Sequence, residues 1–438
     1  MSSKVLVISH NAFSDVYNNG KTMESILSSF DSSNLAQLFF SQNEAPDFTY
    51  CRNYYKITDI DVLKSMLMCK GTSSAIGSKL ECPPITNVNH NIKGFSKKNI
   101  DGIMFSFFKT LFHRSKIFRD LLWSCSNWHS SSLERWIANF NPDVIFYVGG
   151  DSKFSHEIAM TLSDKLNIPL ISYFTDDYIL SKEFSGLDII SRYSSGLLES
   201  TYKRTIKKSS KLYTIGKSMS EHYANHFNRE FGCIMNSVDW KPFSPKMSFG
   251  KDINVSYFGG LHLGRSDMII KFAKKHPFLK VKVYSITPPS SSCLLEFKLN
   301  NIEYCGGVTG KELDEAMFDA DAFLHIESDD ESYCSLTKLS VSTKIPEYLI
   351  SSRLVIGYGP VYLASMKILK DNNIGIVISS AEDKDDVKLN EFLSNGSAVS
   401  NMVSLGYNFA NENFLKSKNS TMLKFQIENV VANHGKGD

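Results

Sequence analysis

The sequence has little of what marks several large protein classes: no long apolar run, no paired cysteines and almost no net charge. Nothing in its 438 residues approaches the roughly 18 consecutive apolar residues that favour a transmembrane helix. The eight cysteines are scattered without a Cys-x-x-Cys pair, which argues against a zinc ribbon or a thioredoxin-type site. A net charge of +2 gives no general electrostatic case for nucleic-acid binding.

What remains is the composition of an ordinary globular protein. Hydrophobic residues make up 42% and charged residues 21% of the chain, which excludes a mainly disordered, collagen-like or coiled-coil protein. The length favours two or three domains. The short apolar stretch at residues 5–8 turns polar at once, so we interpret it as a first strand rather than a signal peptide and expect a cytoplasmic protein.

Short β-branched or aromatic runs alternate with helical stretches along the whole chain. Predicted strands include residues 5–9, 143–148, 169–174 and 211–215, and such alternation indicates βαβ units with a parallel sheet. A polar stretch with two prolines at residues 238–252 is interpreted as a linker, because the alternation restarts after it. We therefore predict an α/β protein with two doubly wound, Rossmann-like domains.

Two loops that follow predicted strands have the composition of anion-binding loops. In the first, Gly20 precedes Lys21-Thr22 at a predicted helix start, where free backbone N–H groups favour an anion. The alternative is an ordinary Asn-Gly turn before a capped helix, and the spacing of a P-loop is missing. In the second, Gly259-Gly260 and Gly264 precede Arg265, an arginine placed to clamp a diphosphate or simply to lie on the surface.

The most informative stretch covers residues 340–360. Ser342 and Thr343 are predicted to cap a helix in which Lys344 and Glu347 are neighbours at i and i+3. Glu347 is a candidate to accept hydrogen bonds from ribose hydroxyls, and Lys344 to face phosphates. The plain alternative is a capped helix with one surface ion pair, which contributes little to stability.

The order of these segments resembles the C-terminal half of GT-B fold glycosyltransferases, most closely the retaining family 4 group that builds bacterial polysaccharides. Four further stretches extend the resemblance thinly over nearly the whole chain. They are the Pro-Asp-Val-Ile strand at residues 142–149, the pattern Asn-x-Val-Asp-x-x-x-Phe at residues 236–243, Ile-Glu-Tyr-Cys-Gly at 302–306 and Ala-Asp-Ala-Phe-Leu at 320–324.

The resemblance implies two domains that face a cleft. Residues 1–245 would bind the acceptor, residues 246–400 the nucleotide-sugar donor, and helices in residues 401–438 would cross back to the first domain. Glu347 would bind the nucleotide ribose. Six further residues would lie at the donor: Gly20, Gly260, Arg265, Ser342, Thr343 and Lys344. Of these, Arg265 and Lys344 would stabilise the leaving diphosphate, and no metal or other cofactor is expected beside the nucleotide-diphosphate sugar as co-substrate.

The sequence departs from the family pattern at two places in the donor domain. The family has a second glutamate upstream of the one that Glu347 matches, and Leu339 occupies its position here; Glu331 is a candidate replacement. The family arginine commonly follows the glycine loop directly, where this chain has Leu261, and Arg265 comes later.

Other polar residues are weaker candidates. Asp176 and Asp177 follow a predicted strand, so they are expected either to orient acceptor hydroxyls and steady a positively charged transition state, or to begin a helix. His222 and His226 have the i, i+4 spacing of a zinc pair, but a half-exposed helix face is the favoured interpretation because no third ligand is evident.

Residues 93–128 combine many basic residues with phenylalanines and leucines at helical spacing. A basic amphipathic helix fits an anionic membrane surface, and a core helix with a solvated basic face is an equal alternative. We expect peripheral membrane contact through residues near 93–122. The leading hypothesis is transfer of a sugar to a glycan or lipid-linked acceptor in surface polysaccharide biosynthesis; a GT-B epimerase and a non-catalytic nucleotide-sugar-binding protein remain alternatives.

Overall fold

A computed structural model describes residues 2–14, 18–67, 76–81, 116–181, 189–246, 249, 252–381 and 385–435. The chain divides into two compact units. The first comprises Met1–Tyr213, Tyr223–Gly232 and Met422–Asp438, and the second comprises Thr214–His222 and Cys233–Thr421.

The elements up to residue 233 build the first sheet and the helices beside it. Its strands are β1 (Val5–Ser9), β2 (Leu35–Phe39), β3 (Asn53–Lys56), β4 (Ser78–Leu80), β5 (Val144–Gly149), β6 (Leu170–Phe174), β7 (Lys211–Thr214) and β8 (Gly232–Cys233). Its helices are α1 (Asn18–Leu27), α2 (Asp59–Leu67), α3 (Lys116–Cys125), α4 (Ser131–Phe140), α5 (Lys153–Leu166), α6 (Ile189–Lys208) and α7 (Lys217–Phe227).

The first sheet has the strand order β4-β3-β2-β1-β5-β6-β7-β8. Strand β1 pairs in parallel with both β2 and β5, so the strand order reverses between β1 and β5. Every residue of β1, β5 and β6 is buried, as expected for strands covered by helices on both faces. Only β4 pairs antiparallel, at one edge, among the described pairings.

The elements from residue 253 onward build the second sheet and the remaining helices. The strands are β9 (Ile253–Phe258), β10 (Leu279–Tyr284), β11 (Ile302–Gly306), β12 (Ala322–Ile326), β13 (Leu354–Gly359) and β14 (Ile376–Ser379). The helices are α8 (Arg265–Lys275), α9 (Ser291–Leu299), α10 (Gly310–Asp319), α11 (Glu331–Thr337), α12 (Lys344–Ile350), α13 (Ala364–Asp371), α14 (Asp385–Ser394), α15 (Gly396–Asn413) and α16 (Lys416–Asn433).

The second sheet has the order β11-β10-β9-β12-β13-β14, which is the doubly wound Rossmann order with its reversal between β9 and β12. All its recorded strand pairs are parallel. The predicted α/β class with two doubly wound domains is therefore confirmed.

The stretch at residues 238–252 that was expected to be a linker lies within the range of the second unit. Asn236 donates a hydrogen bond to the carbonyl of Thr343 (3.1 Å), and Val238 forms a β-bridge with Leu415. Arg353 is buried and its guanidinium donates to the carbonyl oxygens of Ser244, Phe318 and Ala320, among others. These contacts join the stretch to the second unit, and the expected domain boundary at residue 245 stays a prediction.

Most predicted strands are confirmed, but β2, β3, β4 and β8 lie outside the predicted elements. Strand β2 contains a fully buried polar residue, Gln37, which interrupts its apolar pattern. The amide of Gln37 accepts from the backbone of Phe13 (3.0 Å) and donates to Ser9 Oγ (2.8 Å) and the Asn11 carbonyl (3.0 Å). These tertiary hydrogen bonds compensate for burial of a polar group, and a local pattern does not reveal them.

Candidate functional site

Ligands of doubly wound sheets bind beyond the carboxyl ends of the strands, where the strand order reverses. In the second unit this point lies between β9 and β12. The loop after β9 leads into α8 through Arg265, and the residue that follows β12 is Glu327. The fold therefore brings together the predicted arginine and a carboxylate that the sequence analysis did not single out.

Arg265 is held at this point by a buried carboxylate. Its Nη2 lies 3.7 Å from Glu327 Oε2, and the side chain of Glu327 is only 4% exposed. Glu327 is also close to His325, whose Nε2 lies 3.4 Å from Glu327 Oε1. Tyr257, at the end of β9, forms a further side-chain hydrogen bond with Arg265. The guanidinium thus has a fixed orientation at the strand ends.

Electrostatics keep both members of this pair charged. Burial alone raises the pKa of Glu327, but its neighbours His325 and Arg265 lower that pKa below its usual value. Burial alone lowers the pKa of Arg265, and Glu327 with Tyr257 raises it above the usual value. A guanidinium has about five N–H donors, so one carboxylate leaves donors for a ligand.

The start of α12 carries the other predicted donor residues. Lys344 Nζ lies 2.9 Å from Glu347 Oε2, and both side chains are largely buried. Ser342 Oγ accepts a hydrogen bond from the Lys344 backbone (3.3 Å), which satisfies one N–H of the first turn. Thr343 stands at the N-cap position without a side-chain capping bond, so of the two predicted caps only Ser342 contributes one.

Tyr348 ties this helix to the end of β9. Its hydroxyl accepts from the backbone N–H of Phe258 (3.1 Å), and its ring stacks on Phe323 of β12 (4.5 Å between centroids). The charges of Glu347 and Arg265 both act on this hydroxyl. The residues predicted for the ribose and the diphosphate therefore lie on the same edge of the second sheet.

Glycines shape the loop before Arg265. Gly264 has φ +70°, and a Cβ there would lie 2.7 Å from Ser328 Oγ, so a side chain is excluded where α8 begins. The carbonyl of Gly260 accepts a hydrogen bond from Tyr257 Oη (2.6 Å). The predicted donor-loop residue Gly260 thus has a direct role in folding the loop, next to the hydroxyl that also contacts Arg265.

The structure shows the surroundings of Leu339, which stands where the family has its first glutamate, and of Glu331, the candidate replacement. Leu339 is buried (4% exposed), whereas the suggested substitute Glu331 is exposed in the first turn of α11. The buried carboxylate that faces Arg265 belongs to Glu327. Its sequence signal is a charged residue directly after a fully buried strand, where the carboxyl end of a parallel strand places functional groups.

In the first unit, Gly20 lies in the first turn of α1 and is buried. A Cβ at this position would lie 2.5 Å from the carbonyl oxygen of Ala12 and 2.8 Å from Ser14 Cβ. Gly20 thus allows the loop after β1 to pack against α1. This packing is sufficient to explain the glycine, and its contact with a donor stays a prediction.

Asp176 and Asp177 follow β6 but differ in their surroundings. Asp177 Oδ1 accepts from the backbone of Ile179 (3.0 Å) and Leu180 (2.8 Å) and from Tyr223 Oη (2.9 Å). Its carboxylate is engaged in holding a turn, and residues 178–181 form bends and a turn and not the expected alternative of a helix start. Asp176 is half-buried, and burial raises its pKa, as do the charges of Asp151 and Asp177. Hydrogen bonds from Thr175 and Tyr178 lower the pKa, but the net shift is upward.

Sequence reasoning missed Asp151, which follows β5 at the reversal point of the first sheet. The carbonyl of the preceding Gly150 contacts His156 Nε2 (3.1 Å) and accepts a hydrogen bond from Tyr202 Oη (3.0 Å). Side chains of α5 and α6 therefore hold this turn in place. The charge of Asp151 acts on Asp176 and on His10, which follows β1. Carboxyl groups thus gather at this edge, and the signal in the sequence is Gly149-Gly150-Asp151 after a buried strand.

The histidine pair makes contacts that need no metal. His222 Nδ1 lies 2.7 Å from the carbonyl of Ser218, and His226 Nε2 lies 3.5 Å from Glu199 Oε1. Among the described residues, no group of three or more histidine, cysteine and acidic side chains is placed to hold a metal ion. The expectation of a metal-independent protein remains a prediction.

Most of the basic aromatic segment, residues 93–115, lies outside the described residues. Its last part is helix α3, which exposes Phe118 and Leu121 and turns Arg119 inward. Arg119 Nε donates to Asp59 Oδ1 (3.0 Å), so this basic residue is part of the fold and is not turned to solvent. In the part of the chain that the structure describes, no helix is long and apolar enough to cross a membrane.

No protein-family model matches the chain, and no curated protein matches it in sequence. Solved structures do match it in fold. HepE from Anabaena, in complex with UDP, is 10% identical over 97% of this chain and 100% of that one, with a TM-score of 0.61. TarM is 11% identical over 98% of each chain (TM-score 0.59). WaaG, a glycosyltransferase involved in lipopolysaccharide biosynthesis, is 12% identical over 95% of this chain and 99% of that one (TM-score 0.54).

At such low identity the likeness concerns architecture, not reaction. It extends over nearly the full length of each chain, so it covers both doubly wound units and not one common Rossmann domain. The chain therefore has the fold of GT-B glycosyltransferases.

Proposed function

We propose that this protein is a glycosyltransferase that moves a sugar from a nucleotide-diphosphate donor to a glycan or lipid-linked acceptor. The observation that carries the proposal is the buried Arg265–Glu327 pair at the reversal point of the second sheet. An arginine fixed where doubly wound sheets bind ligands is suited to a diphosphate, which it can contact through paired hydrogen bonds.

The donor chemistry follows from charge. When the bond between the sugar and the diphosphate breaks, negative charge develops on the leaving group, and fixed cations lower the barrier most at that moment. Arg265 and Lys344 supply those cations. Glu347 accepts hydrogen bonds from the ribose hydroxyls, and its contact with Lys344 keeps both side chains in place. The structures of HepE with UDP and with UDP-glucose support a nucleotide-sugar donor for this fold.

In the acceptor domain we assign Asp176 the task of orienting an acceptor hydroxyl. Burial and the charges of Asp151 and Asp177 raise the pKa of this carboxyl group, so it holds a proton more tightly than an ordinary aspartate and can share it with a hydroxyl. Asp177 contributes by holding the turn that presents Asp176. Gly20 and Gly260 contribute through the loops that they allow to fold.

The finer features of the proposal rest on the resemblance to family 4. They are retention of configuration at the transferred sugar, a place in surface polysaccharide biosynthesis, independence from metal ions and a cytoplasmic location. We further propose that the protein touches the inner face of the cell membrane. The basic residues near 93–122 and the exposed Phe118 and Leu121 of α3 support that contact, because cations attract anionic lipids and apolar side chains enter the interface.

A thermal-shift screen with UDP-, GDP-, ADP- and dTDP-sugars tests the donor assignment. A ligand that binds the folded state raises the unfolding temperature, and a concentration of about 100 times Kd adds about 2.7 kcal/mol. We expect one base to stand out, with the shift lost in Arg265→Ala. Absence of a shift with all four would contradict the proposal.

Product analysis with the stabilising donor then separates the alternatives. A glycosyltransferase releases the nucleoside diphosphate and forms a glycosidic bond only when acceptor is present, apart from slow donor hydrolysis. An epimerase converts the donor sugar without any acceptor, and a binding protein shows the thermal shift without turnover.

A further inference from the structure

A groove of about 850 Å³ lies in the first unit, at the amino ends of β6 and β7. It is lined by Asn167, Lys211 and a face of α16 that includes Phe425, Gln426, Asn429 and Asn433. The amino ends of parallel strands are the edge opposite the carboxyl ends, where Asp176 lies. The groove is thus separate from the proposed acceptor site within the same unit.

Its lining has the chemistry that recognises sugars. Four of the lining side chains are carboxamides (Asn167, Gln426, Asn429 and Asn433), each with donors and acceptors that match vicinal hydroxyls. Phe425 adds an aromatic face that is 63% exposed and therefore open to a sugar ring. Among the lining residues there is no carboxylate, so the groove is not built for a cation.

The geometry is repetitive and preformed. Phe425, Asn429 and Asn433 follow one another at i, i+4 and i+8, so they share one face of α16 and advance about 6 Å at each step. Such a step is comparable with one unit of a sugar chain. Tyr213 Oη donates to Gln426 at one end, and His434 Nε2 contacts the carbonyl of Asn167 (3.1 Å) at the other. Both walls are therefore tied together without a ligand.

We propose that this groove is an oligosaccharide-binding site, which holds a segment of the glycan that the proposed transfer extends. That role rests on the proposed function, whereas binding itself does not. A second, weak contact with the same polymer raises the effective concentration of acceptor ends and keeps the chain bound between transfers. Carboxamides give the hydrogen bonds, Phe425 stacks on a sugar face, and Lys211 adds affinity for acidic sugar units.

The test is binding of the full chain to an array of immobilised microbial oligosaccharides, neutral and acidic, followed by titration of the strongest binder. Phe425→Ala and Asn429→Ala should each weaken binding about tenfold, as loss of a central contact does. Met422→Ala is the matched control: it is exposed on the same helix but does not line the groove, and it should bind as the unchanged protein does.

Two further variants locate the binding and separate the two proposals. In the Asp176→Asn background, which lacks the proposed acceptor contact, Phe425→Ala should weaken array binding by the same factor as in the unchanged protein, and the same should hold after saturation with the nucleotide found by thermal shift. Binding that survives Phe425→Ala and Asn429→Ala, or no binding to any oligosaccharide, overturns the groove assignment. Phe425-dependent binding without any donor-induced thermal shift would uphold the groove and contradict glycosyl transfer.

Discussion

At the carboxyl edges of the two sheets, the pKa values of the carboxyl groups shift in opposite directions. In the second unit, Glu327 has Arg265 and His325 as partners, and these lower its pKa although burial alone raises it. In the first unit, burial raises the pKa of Asp176, and the neighbouring charges of Asp151 and Asp177 raise it further. Burial raises the pKa at both places, so the neighbouring charged groups decide whether the pKa lies above or below its usual value.

This difference divides the chemistry between the units. An ionised carboxylate that is paired with arginine fixes a cation, and fixed cations suit a ligand with phosphate groups. A carboxyl group that is crowded by other carboxylates binds its proton more tightly and is suited to exchange hydrogen bonds with hydroxyls. The contrast therefore supports a phosphate-bearing donor at the second sheet and a hydroxyl-bearing acceptor at the first.

Among the substitutions that test this contrast, Arg265→Ala should have the largest effect on transfer. Loss of the fixed cation should lower kcat/KM about 100-fold or more, because leaving-group charge is then left without its main partner. The substitution also removes the cationic arginine partner of the buried Glu327 carboxylate and leaves only His325 beside it, which destabilises the fold. Steady-state transfer assays give the rate, and calorimetry gives the stability.

The double variant Arg265→Ala/Glu327→Gln separates these two effects. Glutamine removes the uncompensated charge, so stability should return while transfer remains low. Transfer close to that of the unchanged protein in Arg265→Ala and Glu347→Ala would remove both residues from the proposed donor site.

Asp176 and Asp177 offer the next test, within the first unit. Asp176→Asn should lower transfer about 10- to 100-fold with little loss of stability, since its ionised form is not stabilised by a cation. Asp177→Ala should instead cost about 2–4 kcal/mol of stability, because two backbone N–H groups and Tyr223 lose their acceptor. Chemical unfolding and transfer rates, measured on both variants, should therefore rank them in opposite order. The same order in both assays would show that the pair acts as one unit.

A smaller effect is expected for Glu347→Ala in the second unit. Loss of the ribose contact should raise the donor KM about tenfold and change kcat less, since the ribose keeps its charge during the reaction. Glu347→Gln keeps an acceptor for ribose and should recover part of the affinity. A fall in kcat with unchanged KM would indicate that Glu347 acts on the diphosphate through Lys344, its partner at 2.9 Å.

The sequence predicts the two sheets and the position of several site residues better than it predicts which residues pair with one another. Alternating strands and helices give the two doubly wound sheets, and the strand ends then place Arg265 and Asp176 at the edges that bind ligands. Helix α12 is predicted with Lys344 and Glu347 in its first turn, and the structure confirms this helix. Such features follow from periodicity and capping, which are local.

Partners that are distant in sequence explain what was missed. Glu327 is the partner of Arg265 across a long stretch of chain, while the family pattern drew attention to Glu331, which is exposed. Asp176 and Asp177 are indistinguishable in the sequence, and only the position of Tyr223 shows which of them holds a turn. Pairings of this kind depend on the finished fold.

The smallest expected effect is a difference in how stability responds to pH. Burial raises the pKa of Asp120 in the first unit to about 6, against hydrogen bonding from Phe154 and the charge of Arg119, so ionisation of Asp120 opposes folding. Asp120→Asn should therefore stabilise the protein at pH 7 by about 1–2 kcal/mol after solvent screening, and the gain should vanish below about pH 4.

Glu327 has a lowered pKa, so its ionised form favours folding above the ordinary glutamate range, and that contribution is lost on acidification. Glu327→Gln should accordingly destabilise the protein at pH 7 and less so in acid. Calorimetric unfolding of both variants from pH 4 to pH 7 measures the two trends, and trends of the same sign would contradict the opposite pKa shifts of Asp120 and Glu327.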